Sequence, residues 1–224
     1  MASVWDIGAA TVGVGVSTTI VVTLTDSAAI GDLVCGWMVV QSSGTLNSVT
    51  DTKGNTWTTR TAYTSGTSRY YFVDSVLTTA LAIGDTISLV CSTGANRKFA
   101  VFQAINGQAA SYFDQQGAGA SGTSTTPSIT TGTLAQADSV IIGCVYSSLS
   151  TLSVEDADYT WLNDAILDNR NLHSAYRIVN STTADTYSPT ISVSQSWDTN
   201  YIVYKLATTP PPSSGSQLAL MGVG

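Results

Sequence analysis

Thr86-Ile87-Ser88-Leu89-Val90-Cys91 decides the fold class. In an extended chain successive side chains point to opposite sides, so Ile87, Leu89 and Cys91 share one face while Thr86, Ser88 and Val90 share the other. Val140-Ile141-Ile142-Gly143-Cys144-Val145 is apolar on both faces, as a central strand covered on both sides would be. Asp51-Thr52-Lys53-Gly54-Asn55 reads as a turn, because Asp and Asn bond their own backbone and Gly tolerates positive φ. Thr and Val favour extended chain, helix formers are scarce, and no long window repeats its apolar residues every 3.6 positions. An all-β chain is expected. Strands are predicted near 19–24, 33–41, 55–63, 69–76, 86–92 and 98–105, and again near 127–131, 139–147, 158–163, 174–180, 189–195 and 200–207.

That cadence of short strands and turns is the one a sandwich produces. It also occurs twice. Ser17-Thr18-Thr19 matches Ser124-Thr125-Thr126, and Gly31-Asp32-Leu33-Val34 matches Ala137-Asp138-Ser139-Val140. Val49-Thr50-Asp51 followed by Trp57 matches Val154-Glu155-Asp156 followed by Trp161. Tyr71–Ser75 matches Tyr176–Ser181, Thr86–Leu89 matches Thr190–Val193, and Phe99–Phe102 matches Tyr201–Tyr204. Six matches in one order, offset by roughly 105 residues, indicate an internal duplication. The expectation is a single double-layer, jelly-roll-like antiparallel sandwich over 1–208, in preference to two small sandwiches in tandem. Repeat 1 would cover about 16–107 and repeat 2 about 123–207, with 106–123 as the Gly/Ala/Ser-rich joint. Trp57 should then lie over Trp161 and Phe102 over Tyr204.

Of the 224 residues 43% are hydrophobic and only 10% charged, well below the usual quarter, so Ser, Thr, Asn and Gly must coat the surface. The net charge of −7 with eight scattered Lys and Arg argues against nucleic acid, whose phosphates require clustered cations. Cys35, Cys91 and Cys144 sit in apolar runs without CxxC spacing and read as buried free thiols, a Cys35–Cys91 bridge being the alternative. Met1–Asp6 lacks the basic start of a signal peptide, and no apolar run approaches the 18 or so residues of a membrane span. Synthesis in a cytoplasm without a cleaved leader, and no membrane partner, are the expectations.

Past Leu206 the composition changes. Thr208–Gly215 contains Pro210-Pro211-Pro212 and reads as an extended spacer, within a C-terminal arm over 209–224. Leu218, Leu220, Met221 and Val223 give the arm an apolar end, read as a docking peptide for a neighbouring subunit.

No catalytic constellation stands out. A Ser–His–Asp arrangement would have to use His173, the one histidine, and no G-x-S-x-G elbow supplies a serine. Glu155, Asp156 and Asp158 form the one dense acidic cluster, a weak candidate for glycoside hydrolysis or for Ca²⁺. A duplicated turn at the place of Asp51–Asn55 accounts for it more simply. Trp161, Tyr112 and Trp197 could stack on sugar rings, although Trp57 and Trp161 at equivalent places read as core or rim packing. No enzyme activity, cofactor or metal is expected.

Gly-Asp-Leu-Val opening a strand, Val-Thr-Asp-x-x-Gly-Asn-Thr-Trp at 49–57, a Tyr-rich strand and a closing Phe-Ala-Val-Phe resemble a loosely defined group of β-sandwich proteins. These occur in tailed-phage structural modules and on bacterial surfaces, and the resemblance covers roughly 16–207. It implies no catalytic residues. Together with the missing leader it implies a bacteriophage virion protein made in the host cytoplasm, most simply a capsid decoration (cement) protein. Its partners would be other virion proteins, the major capsid protein first, and copies of itself. The alternative is a carbohydrate- or receptor-binding module of a tail fibre or bacterial surface protein, with host glycans as partner.

Overall fold

The computed structural model describes residues 2–13, 15, 17–92, 97–148 and 152–208. Among these lie nineteen strands. In the first half they are β1 (Val4–Val12), β2 (Thr19–Thr23), β3 (Leu33–Val40), β4 (Leu46–Asp51), β5 (Thr58–Thr59), β6 (Tyr63–Ser65), β7 (Ser68–Val76), β8 (Thr86–Cys91) and β9 (Lys98–Ile105). The second half contains β10 (Gln108–Gln116), β11 (Ala120–Ser124), β12 (Ile129–Thr130), β13 (Asp138–Ser148) and β14 (Leu152–Val154). It continues with β15 (Thr160–Leu167), β16 (Arg170–Asn180), β17 (Thr186–Tyr187), β18 (Thr190–Ile191) and β19 (Gln195–Leu206).

The first half winds into a large sheet ordered β1-β9-β3-β7-β5, with β6 also on β7, and a small sheet ordered β2-β8-β4. Successive strands alternate between the two sheets through β4, which is the jelly-roll path. The second half repeats the order: β10-β19-β13-β16-β15 form the large sheet, with β11 also on β19, while β12-β17 and β14-β18 pair outside it. The ladders are antiparallel throughout.

Burial explains the layering. The expected double layer is present at the centre, where the two large sheets face one another. Leu33, Cys35, Trp37 and Val39 of β3 meet Val140, Ile142, Cys144 and Tyr146 of β13 in one core. The other faces of the same strands are buried too. Val34, Met38 and Val40 pack under the small sheet with Ile20, Val22, Ile87 and Leu89, and Ile141 and Val145 pack with Tyr159, Tyr187 and Ile191. Both central strands are therefore covered on both sides, as the unbroken apolar run of Val140–Val145 requires. Ile87, Leu89 and Cys91 point inward from β8, as their alternation predicts.

Three expectations need correcting. The expected single sandwich over 1–208 would interleave strands of the two repeats, but each large sheet is built from one half alone, and no ladder joins the halves among the described residues. Residues 108–116, read as part of a joint, form β10 and pair with β19, whose long neighbouring strand supplies a partner that local composition does not reveal. The register of the matched pairs also slips. Phe102 of β9 faces the outer core and Tyr204 of β19 the inner one. A shift by one residue moves a side chain to the opposite face, so strands can correspond where quoted residues do not. Gly36 and Gly143 are better landmarks, because each faces an outer core under an aromatic ring. A Cβ at Gly36 would come within 2.5 Å of Phe102, and one at Gly143 within 2.6 Å of Tyr187.

Cys35, Cys91 and Cys144 are buried free thiols. Burial pushes Cys35 up to about 12 and Cys91 up to about 11, which leaves both as neutral, packed groups.

Candidate functional site

The acidic cluster sits where β14 runs into β15. Its carboxylates diverge. Glu155 Oε2 lies 2.5 Å from His173 Nε2, and its Oε1 accepts the Asp156 amide at 2.9 Å. Asp156 Oδ1 accepts the Asp158 amide at 3.1 Å, and its Oδ2 accepts the Ser188 amide at 2.7 Å. Asp158 pairs with Arg177 at 3.2 Å. Both oxygens of Glu155 and of Asp156, and one of Asp158, are engaged in closing a turn or joining neighbouring strands. Among the described residues no group of three His, Cys, Asp or Glu is placed to hold a metal ion.

His173 is the centre of this region. It lies on β16, only 1% exposed, and β15 brings Asp164 opposite it. Nδ1 is 2.7 Å from Asp164 Oδ1, so both ring nitrogens have carboxylate partners. Burial alone would lower the imidazole pKa, but the hydrogen bonds to Asp164 and Glu155 outweigh it and hold the group above its ordinary 6.5. A ring occupied at both nitrogens has none left to activate a serine or a water. A nearby recess of about 290 Å³ is lined by Arg177, Asp185 and the 178–184 segment. Arg177 there is held by Asp185 at 2.6 Å.

A second buried polar group joins the halves. Asp74, fully buried on β7, receives Arg60 Nε at 2.6 Å and Arg60 Nη2 at 2.8 Å. Tyr112 and Tyr204 of the second half donate their hydroxyls to it at 2.9 and 3.2 Å. The Arg60 guanidinium also stacks over Phe113 at 4.0 Å. Burial, and then the Asp74 charge, pushes Tyr112 up to about 12, so it stays a donor. Gln41 to Tyr146 at 2.6 Å, Tyr70 to Asp198 and Asn163 to Asp6 add further ties between the halves. This chemistry fastens one half to the other.

The turn Asp51–Trp57 is equally structural. Asp51 accepts the Trp57 indole N–H at 2.7 Å, and Asn55 accepts the amides of Thr78 and Thr79, each at 2.9 Å. Trp57 packs edge-to-face on Phe102. Trp161, expected to pack likewise, is 55% exposed on the outermost strand β15. Of the other aromatics considered for sugar stacking, Tyr112 is bound to Asp74, and Trp197 is half-buried with its indole N–H on Ser124 at 2.9 Å.

Sequence reasoning passed over one apolar feature. Ala29-Ile30-Gly31-Asp32 and Ala82-Ile83-Gly84-Asp85 are the same four residues, and they fold alike. Asp32 caps the Ala29 amide at 2.7 Å and Asp85 caps that of Ala82 at 2.8 Å, while Gly31 and Gly84 adopt φ of 89° and 88°. That is the glycine position of a type II turn. Ala28 and Leu81 exchange both backbone bonds, which sets the two turns side by side. Each lifts an isoleucine into solvent, Ile30 at 68% and Ile83 at 69% exposure. The repeated tetrapeptide was the available signal. The apolar arm residues Leu218, Leu220, Met221 and Val223 lie outside the described residues.

Comparison with protein-family models, with curated proteins and with solved structures finds no match to the chain.

Proposed function

We propose that this chain is a non-enzymatic structural protein of a bacteriophage particle, a decoration protein that docks on assembled capsid subunits and is reinforced by its C-terminal arm. The observation that carries the reading is the division of labour between inside and outside. Clustered titratable groups are engaged with one another or with backbone in the fold, whereas Ile30 and Ile83 are held outward on two braced turns. Such rigid apolar tips suit a protein partner, because they are already ordered and lose little entropy on docking. The jelly roll is an architecture that capsid proteins use, although lectins use it as well. The matching order of the two large sheets supports an origin by duplication.

Trp161 favours a second reading, a glycan-binding module, since an exposed ring on an edge strand can stack on a sugar. One experiment separates the two. Particles purified from infected cells are expected to contain the chain in many copies by quantitative mass spectrometry. The Ile30→Asp/Ile83→Asp variant should fold normally and lose incorporation at least tenfold. Deleting 209–224 should weaken incorporation while leaving the sandwich folded. Absence from particles, combined with glycan-array binding that Trp161→Ala abolishes, would replace the first reading by the second.

A further inference from the structure

The association of Glu155, Asp164 and His173 is more specific than a packing contact needs. Glu155 belongs to the segment between β14 and β15, Asp164 to β15, and His173 to β16. The histidine bonds Glu155 at 2.5 Å through Nε2 and Asp164 at 2.7 Å through Nδ1. A neutral imidazole has one N–H and one lone pair, and an ionised carboxylate only accepts. With one N–H it can satisfy only one of these two partners. The other oxygen would then face a lone pair at hydrogen-bond distance, on a ring with almost no exposed surface of its own. Only the imidazolium, with two N–H groups, completes the geometry.

The surroundings are apolar or already committed, with one further donor beside Glu155. The outer core that shares this face contributes Val145 from β13, Ala175 from β16, Tyr159 ahead of β15 and Tyr187 from β17. Tyr159 donates its hydroxyl to Asp185 at 3.0 Å. Tyr187 is that donor: burial keeps its hydroxyl protonated, it lies beside Glu155, and it makes no other hydrogen bond among the described residues. It does not stand between Glu155 Oε2 and the ring, where Nε2 itself must carry the proton. Arg177, further along β16, is committed to Asp158 and Asp185. The charged groups that bear on the ring are Glu155 and Asp164.

We propose that Glu155, His173 and Asp164 form a proton-operated latch, which fastens the segment between β14 and β15 to the second large sheet and releases it when the imidazole loses its proton to solvent. Asp164 is fixed in a strand ladder, so Glu155 is the arm that lets go. Its release loosens the turn of Asp156 and Asp158 and the ring of Tyr159, which rests 4.7 Å from that of Tyr187. The neighbouring Val154 is 61% exposed, so the movement alters an outer surface of the second half. The latch contributes its full stabilisation below the unfolded-state pKa of about 6.5, and the contribution is lost as pH rises through the higher folded-state value.

His173 is the one histidine in the chain, so its ring signals need no assignment by mutation. NMR titration of the full-length protein between pH 5 and 9 should give an imidazole midpoint above 6.5. The amide shifts of residues 156–159 should follow the same curve. Glu155→Gln and Asp164→Asn should each move the midpoint towards lower pH, and in His173→Gln the melting temperature should lose its decline over that window. A ring that titrates at or below its ordinary value overturns the proposal, as do amides of 156–159 that ignore the transition. If His173→Gln fails to fold, the two carboxylate variants decide: an unmoved midpoint in both refutes the latch.

Discussion

Arg60 and Asp74 show what a single pair does in this molecule. Asp74 has no exposed surface, and its two oxygens take two guanidinium bonds and two phenol bonds. A buried ion pair adds little over a well-packed apolar pair, yet breaking one side is expensive because the remaining charge is stranded. Arg60→Met is expected to cost about 3–5 kcal/mol in urea unfolding, and adding Asp74→Leu should recover much of that loss. Neither partner was visible as a site in the sequence. They are fourteen positions apart, and Tyr112 and Tyr204 reach them from the other half. His173 was conspicuous as the sole histidine, but its partners were legible only in part. Asp168-Asn169 is a two-residue turn with φ of 50° and 61°, and counting back from it places Asp164 opposite His173. Nothing local announces that Glu155 reaches the same ring.

At the level of elements, alternation located the strands that carry the cores and missed those at the margins. β3, β7, β8, β9, β13 and β19 fall where apolar periodicity places them, because their burial is what the pattern encodes. β1, β4 and β10 went unread. β1 mixes Trp5, Asp6 and Gly8, and its ladder breaks between Asp6 and Gly8, where the Asp6 carboxylate accepts the Gly8 amide at 2.9 Å. β10 is half-buried with polar ends, and its pairing with β19 is itself irregular. Edge strands of this kind owe their conformation to a neighbour far along the chain, not to their own composition. The twin turns are different, since their glycines are required locally. Gly84→Ala places a Cβ on a residue at φ of 88° and should destabilise by about 1–2 kcal/mol, with Gly31→Ala costing a similar amount. Calorimetry on both variants checks this, and a neutral result would mean that the turns relax without penalty.

For the whole molecule the decisive fact is that the central core belongs to neither half. Leu33, Trp37, Phe72 and Phe99 from one sheet close on Ile142, Tyr146, Leu172 and Tyr204 from the other. Loss of either sheet would expose the inner face of its partner. Thermal or urea unfolding is therefore expected to be one cooperative transition, with near-UV circular dichroism and intrinsic fluorescence coinciding. Two separated transitions would show that each jelly roll is stable alone. The two-sided apolar strands stated in advance that a second layer must exist on each side. They could not state whose layer it was, because hydrophobicity marks a face for burial without naming its cover.

That shared core also has a consequence for how the protein is made. The ribosome delivers the first half before the second, at roughly 5–20 residues per second. For something like 5–20 s the inner face of the first large sheet, with Trp37 and Phe72 on it, waits in the cell for a covering that has not yet been translated. During that interval the exposed face is open to misassembly with an equivalent sheet of another nascent chain. Until then Asp74 has, among the described residues, Arg60 alone as a side-chain partner from its own half, because its two phenol bonds form only when Tyr112 and Tyr204 arrive.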